Sequence, residues 1–224
     1  MINFVDSIPI ILNNFNRLST TKKLADDLYS LGYTNIYILD NNSTYPPLLE
    51  WYKECPYKVE MLGKNMGQLA IYNSDYINKF NGWVAYSDSD IELNENCPSG
   101  FIETMIQGAD KHNRLKAGLA LRIDDLPTTR YGLYIKREEA KFWKTELEPD
   151  IYQADVDTTF SVIKVGQPFQ YHAIRLAGNL TARHIPWYLD YENLSPEELY
   201  IIEKADSQYS TTKRFVDSLS LLHE

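Results

Sequence analysis

Trp83-Val84-Ala85-Tyr86-Ser87-Asp88-Ser89-Asp90-Ile91 is an apolar, aromatic run that stops abruptly in two carboxylates one residue apart. The polar stretch Glu92-Leu93-Asn94-Glu95-Asn96 follows. The pattern predicts a buried strand that reaches the edge of a sheet and presents acids there. In open α/β sheets, ligands bind outside the carboxyl ends of the strands. Two aspartates at such an edge make a hard, oxygen-rich site, of the kind that holds Mg²⁺ or Mn²⁺ together with a substrate's phosphates. A plainer reading is also open: Asp is frequent where strands end, and Asp88 and Asp90 would then be solvated turn residues.

Towards the N terminus, residues 8–12 (IPIIL) form an apolar run of strand length, ending in the polar NNFNR of 13–17. Ser19, Thr20 or Thr21 can cap a helix whose Leu24, Leu28 and Leu31 share one face, and Gly32 ends it. Residues 35–39 (NIYIL) are the next strand and stop at Asp40-Asn41. Strand, helix, strand is a βαβ unit. Pro46-Pro47 opens a helix through Trp51 and Tyr52, since proline is tolerated in a first turn. Residues 59–62 read as a third strand, and Gly63-Lys64-Asn65-Met66-Gly67-Gln68 as a turn into a helix over 68–80. The N–H groups at that helix start are placed to receive a phosphate.

Towards the C terminus, a helix is expected over 98–112, a strand over 115–123 ending at Asp124-Asp125, and an amphipathic helix over 134–146. Extended stretches at 152–165 and 169–174 flank a Gly166-Gln167-Pro168 turn. Ser195-Pro196-Glu197-Glu198 is a capping box for a helix to about 209, and a last helix is expected over 211–222.

The chain has 224 residues, 44% hydrophobic and 24% charged, which suits one globular domain. A net charge of −9 argues against nucleic acid as a partner, although a bound cation can reverse the sign locally. Cys55 and Cys97 stand far apart and suggest neither a disulfide framework nor a zinc knuckle, so a reducing cytoplasmic setting is expected. No signal-peptide pattern and no transmembrane segment is expected, since no apolar run approaches about 18 residues.

With these elements in order, the chain resembles the glycosyltransferases of the GT-A fold, specifically family 2-like members. Asp88-Ser89-Asp90 matches the D-x-D motif that ends their fourth strand, and IPIIL with NNFNR resembles their opening strand and Asn-Arg loop. IYILD with NNST resembles the segment whose acid contacts the nucleobase, and GKNMGQ the turn that contacts the nucleotide. The strings VDTTFSV and TARHIPWY look like signatures of a branch that carries a metal-binding histidine in its C-terminal half. The resemblance covers roughly residues 8 to 190. It implies one GT-A domain over 1–224: a Rossmann-like nucleotide-sugar half to about 112, a mixed-sheet acceptor half over 113–190, and C-terminal helices over 191–224.

The implied activity is transfer of a sugar from a nucleotide-diphosphate sugar, a UDP-sugar favoured, to a hydroxyl of a glycan or other acceptor, with inversion favoured and a retaining transfer, which would need no base, the alternative. On this reading Asp90 and His184 ligate Mn²⁺ (or Mg²⁺), and Asp88 holds a metal-bound water or the donor's ribose or sugar. Asp40 accepts from a base N–H. Asn13, Asn14 and Asn41 serve base and ribose, and Arg17 the diphosphate, beside Asn65, Gly67, Gln68 and Ser89. An inverting transfer needs a carboxylate within reach of the acceptor hydroxyl. Candidates are Asp157, ranked first for its DTTF string, then Asp155, then Asp125; on a strand Asp155 and Asp157 would share a face. Trp143, Trp187 and Tyr188 can stack on a sugar ring or pack in the core. Two other classes compete. A sugar nucleotidyltransferase would usually want a glycine-rich loop after its first strand, where this chain has NNFNR. A non-catalytic nucleotide-sugar-binding domain would share the fold and lack turnover.

Overall fold

The computed structural model describes residues 8–205. The helix expected over 211–222, and the end of the one expected to 209, lie outside the described residues. The described residues are α/β, with a mixed, largely open sheet of ten strands and six helices.

β1 (Ile10–Asn14), β2 (Ile36–Asp40), β3 (Lys58–Met61) and β4 (Trp83–Asp88) run parallel in the order β3-β2-β1-β4. Every residue of β1 is buried, which fits a central parallel strand covered on both faces. β1 starts two residues later than its apolar run suggests, so Asn13 and Asn14 belong to the strand and not to a loop. α1 (Ser19–Ser30) buries Leu24, Ala25 and Leu28, and Gly32 ends it at φ 97°, a left-handed conformation that glycine adopts without a Cβ clash. Its expected cap is corrected. None of Ser19, Thr20 and Thr21 caps it by side chain; the Glu197 carboxylate accepts from the N–H groups of Leu18 and Ser19 at 2.7 and 2.9 Å.

α2 (Pro46–Glu54) follows β2 as expected. The helix expected over 68–80 is broken in two. α3 is one turn (Ala70–Asn73), and a 3-10 turn (Tyr76–Lys79) follows Asp75, whose φ of 57° interrupts the helical path. A single turn has no useful N-terminal dipole, so the expected phosphate-receiving helix start does not form.

The second half opens with β5 (Ile91–Leu93), where the sequence pattern suggested only a polar stretch. Then come α4 (Phe101–Lys111), β6 (Lys116–Leu121) and α5 (Arg130–Glu139). α5 starts four residues earlier than expected, because the Thr129 hydroxyl accepts from the Gly132 N–H and sets its N-cap. β7 (Glu146–Glu148), β8 (Ile151–Asp155), β9 (Ser161–Lys164), β10 (His172–His184) and α6 (Pro196–Lys204) complete the described chain. β9 lies antiparallel between β4 and β6, and the order continues β6-β10-β8-β7.

β10 has 13 residues and runs to His184, where the extended stretch was expected to end at 174. Gly178, at φ 62°, sits in an irregularity of the β6–β10 register between Leu176 and Thr181. Beyond it the strand pairs antiparallel with β5, Arg183 opposite Glu92 and His184 opposite Ile91. That pairing joins two chain segments more than ninety residues apart at the carboxyl end of β4. The main core packs α1, α4 and α5 on one face of the sheet, through residues such as Leu28, Phe101 and Ile135. A smaller cluster around Ile71, Tyr76 and Tyr86 covers the other.

Candidate functional site

β4 delivers Asp88 and Asp90 to the carboxyl edge of the sheet. Asp88 still pairs across to Asn13 of β1, and the Ile185 N–H donates to the Asp90 carbonyl at 2.9 Å. A cavity opens there. Its floor is Asp88, Ser89 and Asp90. One wall carries Asn13, Arg17 and Asn41, with Asn65, Gly67 and Gln68 from the turn after β3. The facing wall carries Asp157, Thr158, Thr159 and His184, and an apolar rim is made by Phe15, Pro186, Trp187 and Ile201.

Asp90 is the most constrained of these groups. One carboxylate oxygen, Oδ2, meets the Arg17 guanidinium at 3.0 Å, and the other, Oδ1, faces His184 Nε2 at 3.4 Å. Burial alone would raise its pKa, but the charges of Arg17 and His184 outweigh that and hold the carboxyl well below its usual range. His184 is displaced upward: burial opposes the imidazolium, and the Asp90 carboxylate more than offsets it. Asp88 behaves oppositely to Asp90. Burial, and then the neighbouring Asp90 charge, raise its carboxyl, while the Thr158 hydroxyl donating to Oδ2 at 2.7 Å partly resists.

A net of amides lines the first wall. The Asn41 side chain donates to Asn13 Oδ1 at 2.8 Å and to the Gly67 carbonyl at 2.9 Å, and accepts from the Met66 N–H. Behind it, Ser89 Oγ donates to Asn14 Oδ1 at 2.9 Å. Asn14 also holds the Arg17 backbone from both sides, accepting from its N–H and donating to its carbonyl.

No protein-family model and no curated protein matches the chain.

The cavity therefore brings together Asn13, Arg17, Asn41, Asn65, Gly67, Gln68, Asp88, Ser89, Asp90, Asp157 and His184 from residues widely spaced in the sequence. Asn14 and Asp40 do not reach it. Both are fully buried behind it, and Asp40 accepts from the Ser43 N–H and the Tyr52 hydroxyl, each at 2.8 Å. Of the three candidate bases, Asp157 lines the cavity; Asp155, at the end of β8, does not. Asp125 is held elsewhere by Arg183, Arg122 and the Tyr188 hydroxyl, and these partners lower its pKa against the effect of burial. Trp187 lies on the rim, while Trp143 packs on Tyr152 outside the cavity.

Thr158, Thr159, Phe15 and Ile201 were not singled out from the sequence, nor was Lys116. This lysine is almost fully buried in β6, and its ammonium donates to the carbonyls of Val156 and Asp157 at 2.7 and 2.6 Å, anchoring the loop that carries Asp157 and Thr158. A lysine inside the otherwise apolar KAGLAL strand was the available signal.

Among the described residues no group of three or more His, Cys, Asp or Glu side chains is arranged to hold a metal ion. The pair of Asp90 and His184 nevertheless suits one that keeps several non-protein ligands. Asp90 Oδ1 is buried without a hydrogen-bond partner, and so is His184 Nδ1 on the far side of the ring. Ligands about 2.1 Å from an octahedral ion sit about 3 Å apart at adjacent vertices, close to the observed carboxylate–imidazole separation. Mg²⁺ and Mn²⁺ take few protein ligands and complete their shells with water and phosphate oxygens. Among the described residues no helix is long and apolar enough to cross a membrane.

Proposed function

We propose that the chain is a metal-dependent glycosyltransferase of the GT-A fold, moving a sugar from a nucleotide-diphosphate sugar, a UDP-sugar favoured, to a hydroxyl of a glycan or other acceptor. The observation that carries this reading is the convergence of Asp88, Asp90, His184 and Arg17 at the carboxyl end of β4, in one cavity with an amide-lined wall. Asp90 and His184 would hold Mn²⁺ or Mg²⁺, which when bound stabilises the negative charge developing on the diphosphate leaving group.

The remaining roles belong to the chain's own side chains. Arg17, anchored through its backbone by Asn14, offers its guanidinium to phosphate oxygens in the bidentate geometry such groups favour. Asn65 and Gln68 have side chains on the amide wall for the nucleoside. Asn13 and Asn41 largely bond to each other and to Gly67, which fixes that wall before a ligand arrives. Asp88, held by Thr158, stands where a ribose or donor-sugar hydroxyl would meet its free lone pairs. Asp157 is the candidate base: it lines the cavity, its Oδ1 accepts from the Thr159 N–H at 3.1 Å, and Lys116 fixes its backbone. It would take the acceptor hydroxyl's proton as the new glycosidic bond forms on the face opposite the leaving diphosphate. Trp187 and Phe15 add apolar surface to the cavity, which would limit water beside a bond that otherwise hydrolyses.

The test is a thermal-stability titration with uridine, guanosine and thymidine diphosphates and their sugars, with and without Mn²⁺. A ligand that binds only the native state raises the melting temperature by mass action. A shift that needs both one diphosphate and the metal, and vanishes in Asp90→Ala, is the expected result. A flat response to every nucleotide would sink the reading.

A further inference from the structure

Arg17 is the only lysine or arginine lining the cavity among the described residues, and it already neutralises the carboxylate that would receive a metal. Its guanidinium sits on Asp90 Oδ2, while Oδ1 faces His184. A divalent cation on Oδ1 would therefore stand within about 7 Å of a permanent positive charge. Even at the dielectric of bulk water, a double and a single positive charge at that separation repel enough to weaken binding about tenfold. The guanidinium has little room to retreat. Its backbone is pinned through Asn14, its carbonyl also accepts from Thr21 Oγ1 at 2.6 Å, and its side chain is mostly buried.

An anion changes the sign. A diphosphate placed between the two cations is attracted by both, so each then strengthens the other's hold on it. We propose that Arg17 makes cation binding conditional on a phosphate-bearing ligand: the site resists a free divalent cation and accepts the cation together with a diphosphate. This rests on the reading above that Asp90 and His184 hold the cation. By linkage, the coupling is reciprocal, so the diphosphate's affinity must rise with metal by the same factor that the metal's rises with diphosphate.

The experiment is titration calorimetry on wild type, Arg17→Gln and Arg17→Lys, first with Mn²⁺ alone, then with pyrophosphate and with UDP at saturating Mn²⁺. Arg17→Gln should bind Mn²⁺ alone about tenfold more tightly than wild type and pyrophosphate with Mn²⁺ about tenfold more weakly, a size typical of site-to-site coupling. Arg17→Lys keeps the charge and should follow wild type with Mn²⁺ alone, and should bind pyrophosphate with Mn²⁺ more tightly than Arg17→Gln though without the bidentate hold of arginine. Arg17→Met repeats the test with a different uncharged stem, should the glutamine variant fold poorly. Equal affinities in both arms, or two changes in the same direction, would overturn the proposal, because a merely structural arginine predicts no reversal. Binding of pyrophosphate but not UDP would remove the nucleotide reading and leave the role of Arg17 standing. Binding of neither would remove both.

Discussion

Lys116 offers a perturbation whose size follows from its surroundings. It is 2% exposed, its ammonium donates to the Val156 and Asp157 carbonyls, and it lies 4.4 Å from the centre of the Phe169 ring. Burial lowers its pKa from 10.5 to about 8, although the charges of Asp157 and Asp88 resist. The folded state thus releases the proton more readily than the unfolded chain does. Between about pH 8 and the ordinary lysine value the unfolded state binds more protons, so stability rises with pH across that window. Below it the buried charge costs the fold at most about 3 kcal/mol, at 1.36 kcal/mol for each tenfold change in proton affinity.

Integrating between about pH 7.5 and about pH 9.5 gives a gain of about 2 kcal/mol for wild type. Lys116→Met keeps the length of the side chain and removes the titration, and its stability should lack that rise. Tyrosines that burial holds above their usual range, such as Tyr33 and Tyr72, pull stability down at high pH in both proteins and cancel in the comparison. Urea unfolding followed by circular dichroism at several pH values reads the difference directly. Parallel pH profiles for the two proteins would refute the assignment of a buried, proton-shedding lysine.

Gly132 admits no side chain: a Cβ there would stand 2.0 Å from the Pro127 carbonyl oxygen, so Gly132→Ala should destabilise by about 3 kcal/mol or more in the same urea assay. Glu197→Ala removes the acceptor for two N–H groups at the start of α1 and should cost about 1–2 kcal/mol. For a chain of this size that is a fall of about 2–8 °C in melting temperature, with Ser19→Ala losing less. His184→Ala should weaken Mn²⁺ binding in the presence of UDP about tenfold or more, measured by calorimetry, and unchanged metal affinity would remove the histidine from the ligand set.

In the first half of the sheet β1, β2 and β4 were legible because they are short apolar runs, each ending in Asn or Asp. That rule also misled at one point. A strand-end acid is expected to face the ligand, yet Asp40 is turned inward because Tyr52 of α2 and the Ser43 N–H engage it first. The second half was harder, since its strands are joined by tertiary register more than by local pattern. β5 is three residues long, with Ile91 and Leu93 buried and Glu92 turned outward, too brief for an alternation to register. β10 runs through Gly178 to His184, past the expected end of its extended stretch at 174. The approach of His184 to Asp90 has no local signature at all, because the β5–β10 pairing creates it; only the likeness of TARHIPWY to a known string pointed there.

The same placements explain why an acidic cavity would be built for an anionic ligand. Many α/β proteins hold phosphate on backbone N–H groups at the first helix, reached through a glycine-rich turn. Here both halves of that device are closed. The turn after β1 contains no glycine, and Asn16, buried at φ 60°, spends its Oδ1 on the Thr44 and Tyr45 N–H groups. The start of α1 is filled by the Glu197 carboxylate from α6. A phosphate in this cavity cannot be neutralised by the α1 dipole, so its charge must be met by side chains and by whatever cation Asp90 and His184 accept. Arg17 is the fixed positive charge beside Asp90 in this cavity, and His184 faces the other oxygen of the same carboxylate. Under the proposed function Glu197 would do more than cap a helix, because the N–H groups it occupies are ones a phosphate could otherwise take.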